Sequence, residues 1–251
     1  MSIVLPVFNG SNTLEKCIDS ILKQTFKDFI IYICDDASTD KSLDLINRMK
    51  SKKINLSCNK NNMGLSKTRK KILQQIEGKY IAFIDQDDLW FKDKLKIQID
   101  VLEKYNCVMC HSNYIFNNVL LNYKKKMCSD KIINYKNLVK GASIGASTVL
   151  INRKIYSKKI NFCADRFYDS CNDYVIWLNI LRPSTKQHFS YGVNDVLVEY
   201  TFHGKNLSRN KITQLLKHFC IIRKLENFSL FETLFLSFIN LINRVNFHFF
   251  K

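Results

Sequence analysis

Three carboxylates directly follow an apolar segment in the first half of the chain. Residues 80–84 are apolar and predict a buried strand, and Asp85, Asp87 and Asp88 come next, with Gln86 among them. Like charges at a strand end repel one another unless a cation or an array of donors offsets them. Mg²⁺ and Mn²⁺ prefer such oxygen ligands, usually one or two carboxylates together with substrate phosphates. The pattern predicts a metal-assisted nucleotide site, and an acidic turn that caps the next helix is the alternative.

A second acidic pair stands in a corresponding position. Asp35 and Asp36 follow the apolar residues 29–34. Ligands of open α/β sheets bind beyond the carboxyl ends of the strands, so both acidic groups are expected at one crevice. A carboxylate there can bind the edge of a nucleobase or ribose, while the other group holds a metal on a diphosphate. The end of the first strand would form a third wall, through Pro6, Phe8 and Asn9.

The elements that must position these residues alternate between strands and helices. Three strand–helix repeats precede the acidic segment, and their strands are continuously apolar. This is typical of a parallel sheet with helices on both faces. Arg69 lies early in the third helix, where it could bind a phosphate through two parallel hydrogen bonds. Further on, the sequence predicts a strand at 107–111, a hairpin within 113–127, a helix at 173–181 and a strand at 196–200.

The chain is strongly basic, with 39 Lys and Arg against 22 Asp and Glu and a formal net charge of +17. Such a surface attracts anions: nucleotides, anionic lipid headgroups or nucleic acid. The sequence lacks the aromatic–basic interleaving of RNA-binding proteins and any DNA-reading motif, so no nucleic-acid partner is expected. Nine cysteines without framework spacing, and no signal peptide before the first strand, predict a cytoplasmic protein.

The C-terminal segment is amphipathic and basic. No run reaches the roughly 18 apolar residues needed to cross a bilayer. Phe231, Leu234, Phe235 and Phe238 recur at helical spacing, with Arg244 and Lys251 nearby. Such a helix can lie in a membrane interface, and it can equally pack on the domain or on a partner subunit. We expect peripheral contact with the anionic inner face of the cytoplasmic membrane. A homo-oligomer that forms through the C-terminal helices is a second expectation.

Five motifs occur in a fixed order over about ninety residues. They are IVLPVFN at 3–9, LKQTF at 22–26, DDASTD at 35–40, NMGLS at 62–66 and YIAFIDQDDLW at 80–90. In this order they resemble the family 2 glycosyltransferases, inverting enzymes with a GT-A fold that include enzymes of bacterial surface-polysaccharide synthesis. The resemblance implies an α/β, Rossmann-like fold with a mostly parallel central sheet and a C-terminal helical extension. Residues 1–204 would form the catalytic domain, with a nucleotide-sugar half at 1–110, an acceptor half at 111–204 and a tail at 205–251.

The same resemblance implies roles for single residues. Asp36 would contact the base of a nucleotide-sugar donor, most simply a UDP-sugar. Asp85 and Asp87 match the DxD motif that binds Mn²⁺ or Mg²⁺ on the diphosphate, with Asp88 left to cap the following helix. Asp173 follows Asn172 at a helix start and would be the catalytic base. The remaining donor contacts would be made by Pro6, Phe8, Asn9, Arg69, Asp85, Gln86 and His203.

The chain departs from the family pattern at three positions. Asn172 stands where Glu is usual, Thr201 where an Arg often precedes the His by two residues, and Lys70 where Asn often follows the Arg. None of them alters the metal motif or Asp173. The acceptor is expected to be a glycan or a lipid-linked oligosaccharide.

Two other classes of protein fit parts of the pattern. A nucleotidyltransferase would use a similar metal and nucleotide crevice, but it normally has a Gly-rich, basic loop after the first strand, and residues 8–11 are short and unbasic. A non-catalytic basic protein that binds membrane or nucleic acid would explain the charge alone. Turnover of a nucleotide sugar distinguishes the transferase from both.

Overall fold

The computed structural model describes residues 1–156, 160, 162–183, 185–204, 206–207 and 210–250, with the backbone alone for residues 211 and 244–250. The first half of the chain follows the predicted alternation of strands and helices. The strands at 2–7, 30–35 and 80–83 are largely buried, the strand at 54–58 forms an edge of the sheet, and each helix buries one apolar stripe. The elements are β1 (Ser2–Val7), α1 (Leu14–Leu22), β2 (Ile30–Asp35), α2 (Ser42–Arg48), β3 (Ile54–Cys58), α3 (Leu65–Gln75) and β4 (Tyr80–Phe83).

The second half contains strands of 2 to 13 residues and the C-terminal helices. Its predicted strands are longer than expected, and the predicted hairpin is formed by β6 and β7. Short 3₁₀ helices at Ala146–Thr148 and Arg166–Cys171 precede β9 and α6, and a π-helical turn at Ile221–Leu225 follows α7. The elements are β5 (Leu89–Trp90), α4 (Lys94–Tyr105), β6 (Met109–Asn118), β7 (Tyr123–Met127), β8 (Ile132–Ile133), α5 (Tyr135–Val139), β9 (Leu150–Asn152), α6 (Asn172–Leu181), β10 (Ser190–Phe202), α7 (Lys211–Cys220) and α8 (Leu230–Phe250).

One central sheet joins the two halves, in the order β3-β2-β1-β4-β9-β6-β10-β5. The strands from β3 to β4 are parallel, as are β6 and β10. Strand β9 runs antiparallel to both of its neighbours and joins the two parallel parts. The predicted α/β fold with a helix-flanked central sheet is confirmed, with antiparallel pairings concentrated in the second half.

Helices cover both faces of the sheet and form two apolar layers. Alternate residues of β1 show this, because Ile3 and Leu5 pack with α1, α2 and α4, whereas Val4 packs with α3 and α6. Trp90 and Trp177 are 4% and 1% exposed, so both belong to the core. The carboxyl ends of β1, β2 and β4 consequently meet at one edge, where the acidic segments begin.

The C-terminal helices are anchored on this core. Ile221 and Ile222 are fully buried in the layer that contains α6. Helix α8 crosses the end of α5, where the Asn240 side chain lies so close to Gly141 that an added Cβ would be 2.7 Å from Asn240 Cγ. Asn243 Nδ2 also donates to the Lys140 carbonyl at 2.8 Å. One face of the tail therefore packs on the domain.

Candidate active site

Phe8 and Gln86 join the ends of β1 and β4 by exchanging hydrogen bonds. The Phe8 amide donates to Gln86 Oε1 at 2.9 Å, and Gln86 Nε2 donates to the Phe8 carbonyl at 2.9 Å. Gly10 permits this approach, because a Cβ at that position would lie 2.6 Å from Gln86 Oε1. The structure thus brings two of the predicted donor-binding residues together at the crevice.

Gly10→Ala is expected to displace Gln86 and break both bonds with Phe8. Each such bond contributes about 0.5–1.5 kcal/mol, so the free energy of unfolding should fall by about 1–3 kcal/mol. Nucleotide affinity should fall as well, and urea denaturation and titration calorimetry would measure the two effects. Gly145→Ala is the matched control, because the nearest atom to its added Cβ is Thr148 Cγ2 at 3.8 Å. Equal effects of the two substitutions would contradict the role of Gln86.

Asp36 lies beneath the loop that follows β3. Its side chain is 3% exposed. Its carboxylate accepts hydrogen bonds from the amides of Met63 and Gly64, both at 2.8 Å, and from Asn59 Nδ2 at 2.7 Å. Asp36 therefore fixes residues 62–64 at the edge of the crevice, and its contact with a base stays a prediction.

Asn9 and Pro6 shape the first wall of the crevice. Asn9 has φ 48, in the left-handed region that Asn tolerates better than most residues. Its Oδ1 accepts from the Thr39 amide at 2.8 Å, and its own amide donates to Ser38 Oγ at 2.9 Å. Pro6 is buried within β1 beside Cys34 of β2. These residues hold the loop after β2 against the end of β1.

Asp85 is bonded to a buried arginine. Arg69 Nη2 lies 2.7 Å from Asp85 Oδ1, and Arg69 Nη1 donates to Asn172 Oδ1 at 3.1 Å. The Arg69 side chain is 2% exposed, whereas that of Asp85 is 36% exposed. The predicted bidentate contact of Arg69 with a phosphate does not fit a guanidinium that is buried and bonded in this way. Arg69 instead positions Asp85 and the start of α6.

Asp87 faces His203, which lies just after β10. His203 Nε2 is 2.8 Å from Asp87 Oδ2, and Asn206 Nδ2 is 3.4 Å from the same oxygen. Burial and the neighbouring Asp85 raise the pKa of Asp87, while the hydrogen bond with His203 opposes this rise. The structure thus brings the two residues together across 116 positions of sequence.

Asp88 does not cap the helix that follows it, so that prediction is wrong. The residue before α4 is Asp93, and the Asp88 side chain is 1% exposed. The Asp88 carboxylate accepts from the Ser147 hydroxyl and from the Thr201 amide, the latter at 3.1 Å. Burial, followed by repulsion from Asp87 and Asp85, raises its pKa well above the usual range. Asp88 ties β10 and residue 147 to the acidic segment because this interior offers it two donors.

Asp173 is the second residue of α6, whose N-cap is Cys171, so Asp173 does not itself cap this helix. Its side chain is half-buried, and Oδ1 accepts from the Tyr174 amide at 2.9 Å. Burial raises the pKa of Asp173 to about 6, with Arg69 lowering it and Asp85 raising it. This carboxyl is ionised at neutral pH yet more basic than an ordinary Asp.

The acidic segment fits a divalent cation held jointly with a substrate. Asp85 is accessible and Asp87 stands beside it, and a cation would relieve the repulsion that raises the pKa of Asp87. Within the described part of the chain, no three acidic, His or Cys side chains could hold a metal ion by themselves. Mg²⁺ commonly takes one or two carboxylates and completes its shell with phosphate oxygens and water.

Three supporting residues lie outside the sequence prediction. Ser147 accepts the Asp85 amide at 3.1 Å, and its carbonyl accepts Trp90 Nε1 at 2.9 Å, so residues 146–148 pack under the acidic segment. Asn206 accepts the His203 amide at 2.9 Å, and Asp169 accepts the amides of Leu65 and Ser66 at the start of α3. The small polar run at 141–148 signals the first, whereas no local pattern signals Asp169.

Solved glycosyltransferase structures share this fold. TarS from S. aureus (residues 1–349, in complex with UDP-GlcNAc) matches with a TM-score of 0.66 and 18% identity, covering 99% of this chain and 72% of that chain. The mannosyltransferase PcManGT from Pyrobaculum calidifontis, in complex with GDP-Man and Mn²⁺, matches with a TM-score of 0.64 and 14% identity, covering 91% and 64%. The chain therefore has the GT-A fold.

Sequence comparison identifies the family. Residues 2–161 match Glycosyl transferase family 2. UDP-Glc:alpha-D-GlcNAc-diphosphoundecaprenol beta-1,3-glucosyltransferase WfaP from Escherichia coli is 33% identical over 227 residues, which are 90% of this chain and 86% of that protein. The chain belongs to glycosyl transferase family 2, and it is a glycosyltransferase. This decides against the nucleotidyltransferase and the non-catalytic basic protein.

Proposed function

We propose that the enzyme transfers a sugar from a UDP-sugar to a hydroxyl group of a lipid-linked glycan, with inversion at the anomeric carbon. One observation carries the proposal: Asp85 bonds to Arg69, and Arg69 bonds to Asn172, which directly precedes Asp173. A single buried guanidinium thus fixes the metal motif and the start of α6 relative to each other. Two hydrogen bonds of one side chain thus link a carboxylate of the metal motif to the residue before the proposed base.

Asp85 and Asp87 would hold the Mn²⁺ or Mg²⁺ ion together with the donor diphosphate. When bound, the ion neutralises the negative charge that grows on the departing nucleotide. His203 stands against Asp87 at the end of β10, so it can close over the same diphosphate. Gln86 and Phe8 keep this group in register with the first wall of the crevice.

Asp173 would serve as the base. It takes the proton from the acceptor hydroxyl while that oxygen attacks the anomeric carbon from the face opposite the nucleotide. A general base works best when its pKa lies near the operating pH, and burial brings the pKa of Asp173 to about 6. Arg69, which lowers that pKa, keeps the residue ionised at neutral pH.

The donor and acceptor are proposed from a relative. The name of WfaP gives UDP-Glc as donor and GlcNAc-diphosphoundecaprenol as acceptor. Since that protein is 33% identical over most of both chains, a UDP-hexose and a polyprenyl-diphosphate-linked sugar are the first pair to test. Such a reaction belongs to the synthesis of a surface polysaccharide, such as lipopolysaccharide, capsule or exopolysaccharide.

Contact with the membrane surface would bring the enzyme to such an acceptor. Among the described residues, no helix is both long and apolar enough to span a bilayer. Helix α8 nevertheless exposes a row of apolar side chains, with Phe231 81% and Phe238 61% exposed. We therefore propose that this face lies on the inner surface of the cytoplasmic membrane, and that Phe231→Asp lowers binding to anionic vesicles.

A thermal-shift panel of nucleotide sugars with Mn²⁺ tests the donor. A ligand at about one hundred times its Kd adds about 2.7 kcal/mol, which raises the Tm of a chain of this size by about 5–10 °C. We expect a UDP-sugar to give this shift and EDTA to remove most of it. The absence of a shift with every UDP-sugar in the presence of Mn²⁺ would overturn the proposed donor.

A further inference from the structure

The turn between β6 and β7 carries three consecutive exposed aliphatic side chains. Val119, Leu120 and Leu121 are 56%, 66% and 74% exposed, and Tyr123 at the start of β7 is 49% exposed. Isolated apolar side chains are ordinary on protein surfaces, whereas a contiguous group marks an interaction surface. We call residues 119–123 the hairpin tip.

Hydrogen bonds give the hairpin tip a defined shape. Asn118 Oδ1 accepts the amides of Leu120 at 3.1 Å and Leu121 at 3.2 Å. The Val119 amide donates to the Phe202 carbonyl at 3.0 Å, which extends the pairing of β6 with β10. Asn122 has φ 46, a left-handed conformation that reverses the chain. The aliphatic side chains are thus held on a hydrogen-bonded turn.

A row of aromatic rings leads along the sheet to the hairpin tip. Phe116 stacks on Tyr200 with ring centroids 6.0 Å apart, and it lies 5.8 Å from Phe202. Tyr114 meets the other side of Tyr200 at 6.2 Å. The register of β6 and β10 places these rings on one face. Tyrosine rings such as that of Tyr200 are enriched where a protein meets the headgroup region of a bilayer.

The charge around the hairpin tip suits an anionic surface. Residues 104–129 contain no Asp or Glu, and Lys124, Lys125 and Lys126 follow the tip directly. Lys124 pairs with Glu199 at 3.0 Å on the face opposite the aromatic row, and Lys126 is exposed on that same face. Lys125 lies on the aromatic face, beside Phe116. Each basic residue near an anionic membrane contributes about 1 kcal/mol of attraction.

The hairpin tip adjoins the donor site. A Cβ added at Gly204 would lie 2.8 Å from Leu120 Cδ1, so the Leu120 side chain rests on the residue next to His203. His203 in turn contacts Asp87 of the metal motif. A surface that touches the hairpin tip would therefore lie close to the proposed site of the donor diphosphate.

We infer that the hairpin tip inserts into the interface of an anionic bilayer and seats the active site on the membrane surface. The three aliphatic side chains of the tip suit the apolar layer of such a surface, the aromatic row suits its interface, and Lys125 and Lys126 suit its anionic headgroups. The inference rests on the proposed function only in giving this contact a purpose, the approach to a lipid-linked acceptor.

Vesicle binding of the full chain tests the inference. Leu121→Asp and Asn122→Asp add the same charge at adjacent exposed positions, and only the first removes an inserting side chain. Burial of one leucine corresponds to about a tenfold change in affinity or more. We expect Leu121→Asp to bind vesicles containing phosphatidylglycerol at least about tenfold more weakly than Asn122→Asp does. Equal binding by the two variants would overturn the inference.

A second readout reports insertion itself. In Leu121→Trp the new indole should shift its emission to shorter wavelength when vesicles are added, and brominated lipids should quench it. Trp90 and Trp177 are 4% and 1% exposed, so they contribute a constant background. An unchanged spectrum would show that the tip stays outside the bilayer, as it would if a protein partner covered it, and would overturn the inference.

The acceptor separates this inference from the proposed function. Leu121→Asp should keep wild-type turnover with a water-soluble acceptor and lose it with the same acceptor sugar on a lipid in vesicles. Equal loss with both acceptors would overturn the membrane role of the tip. Absence of transfer by the wild type with both would refute the proposed reaction, while vesicle binding, which needs no substrate, would still be measured.

Discussion

Asp173→Asn should lower kcat by about a hundredfold to ten-thousandfold, the usual contribution of a general base. The amide cannot accept the proton of the acceptor hydroxyl, whereas the donor contacts around Asp85 and Gln86 stay in place. The affinity for UDP-sugar, measured by titration calorimetry, should therefore be that of the wild type. Initial rates with saturating donor and acceptor measure the loss.

Two controls separate chemistry from structure in this experiment. The Tm of Asp173→Asn should stay close to that of the wild type. Asp173 Oδ1 accepts a hydrogen bond from the adjacent Tyr174 amide, and the side-chain oxygen of Asn can accept the same bond. Asp173→Glu keeps a carboxylate with a longer reach and should retain more activity than the amide. Full transfer by Asp173→Asn would refute its assignment as the base.

The pH dependence of the wild type follows from the same residue. The base must be ionised, and burial raises the pKa of Asp173 to about 6. Activity should therefore rise with pH up to about 6 and fall about tenfold for each unit below it. A pH–rate profile of kcat/KM would show this acid limb, and an acid limb centred near pH 4 would contradict the buried environment of Asp173.

Asp87→Ala is the second change with a large expected effect. It removes a proposed metal ligand and the partner of His203 together. We expect Mn²⁺ to strengthen UDP binding by the wild type and to have little effect on the variant, a loss of about 10- to 100-fold or more in affinity with the metal present. Titration of UDP with Mn²⁺ and with EDTA measures this difference.

Asp88→Asn is the control for Asp87→Ala. Asp88 belongs to the same segment but is buried against Ser147 and the Thr201 amide. Its replacement should leave the effect of Mn²⁺ on UDP binding in place. A variant of Asp88 that loses the Mn²⁺ effect while Asp87→Ala keeps it would reverse the two assignments.

The order of elements was predictable because it depends on how apolar residues are spaced along short stretches of the sequence. Continuous apolar runs marked β1 to β4, and apolar residues at helical spacing marked α1 to α3. The convergence of Asp36 and Asp85 at one sheet edge then followed from the parallel order of the strands. These inferences do not depend on which side chains contact one another in the folded protein.

The partners of single side chains were not predictable in this way. Arg69 lies on the predicted helix, but the sequence does not reveal that it turns inward over Phe83, with 5.8 Å between guanidinium and ring centroid. Asp88 was expected at a helix start, yet its donors come from Ser147 and from Thr201, 113 residues away. Such bonds depend on how distant elements pack, so they emerge only once the fold is known.

The central claim is tested most directly by the stereochemistry of one transfer reaction. The enzyme is incubated with Mn²⁺, UDP-glucose and a GlcNAc-diphosphate lipid, and the anomeric coupling constant of the product is read by proton NMR. We expect a β-linked product from the α-linked donor, formed by the wild type and lost in Asp173→Asn. An α-linked product, or an equal yield from the two proteins, would contradict the proposed inverting mechanism.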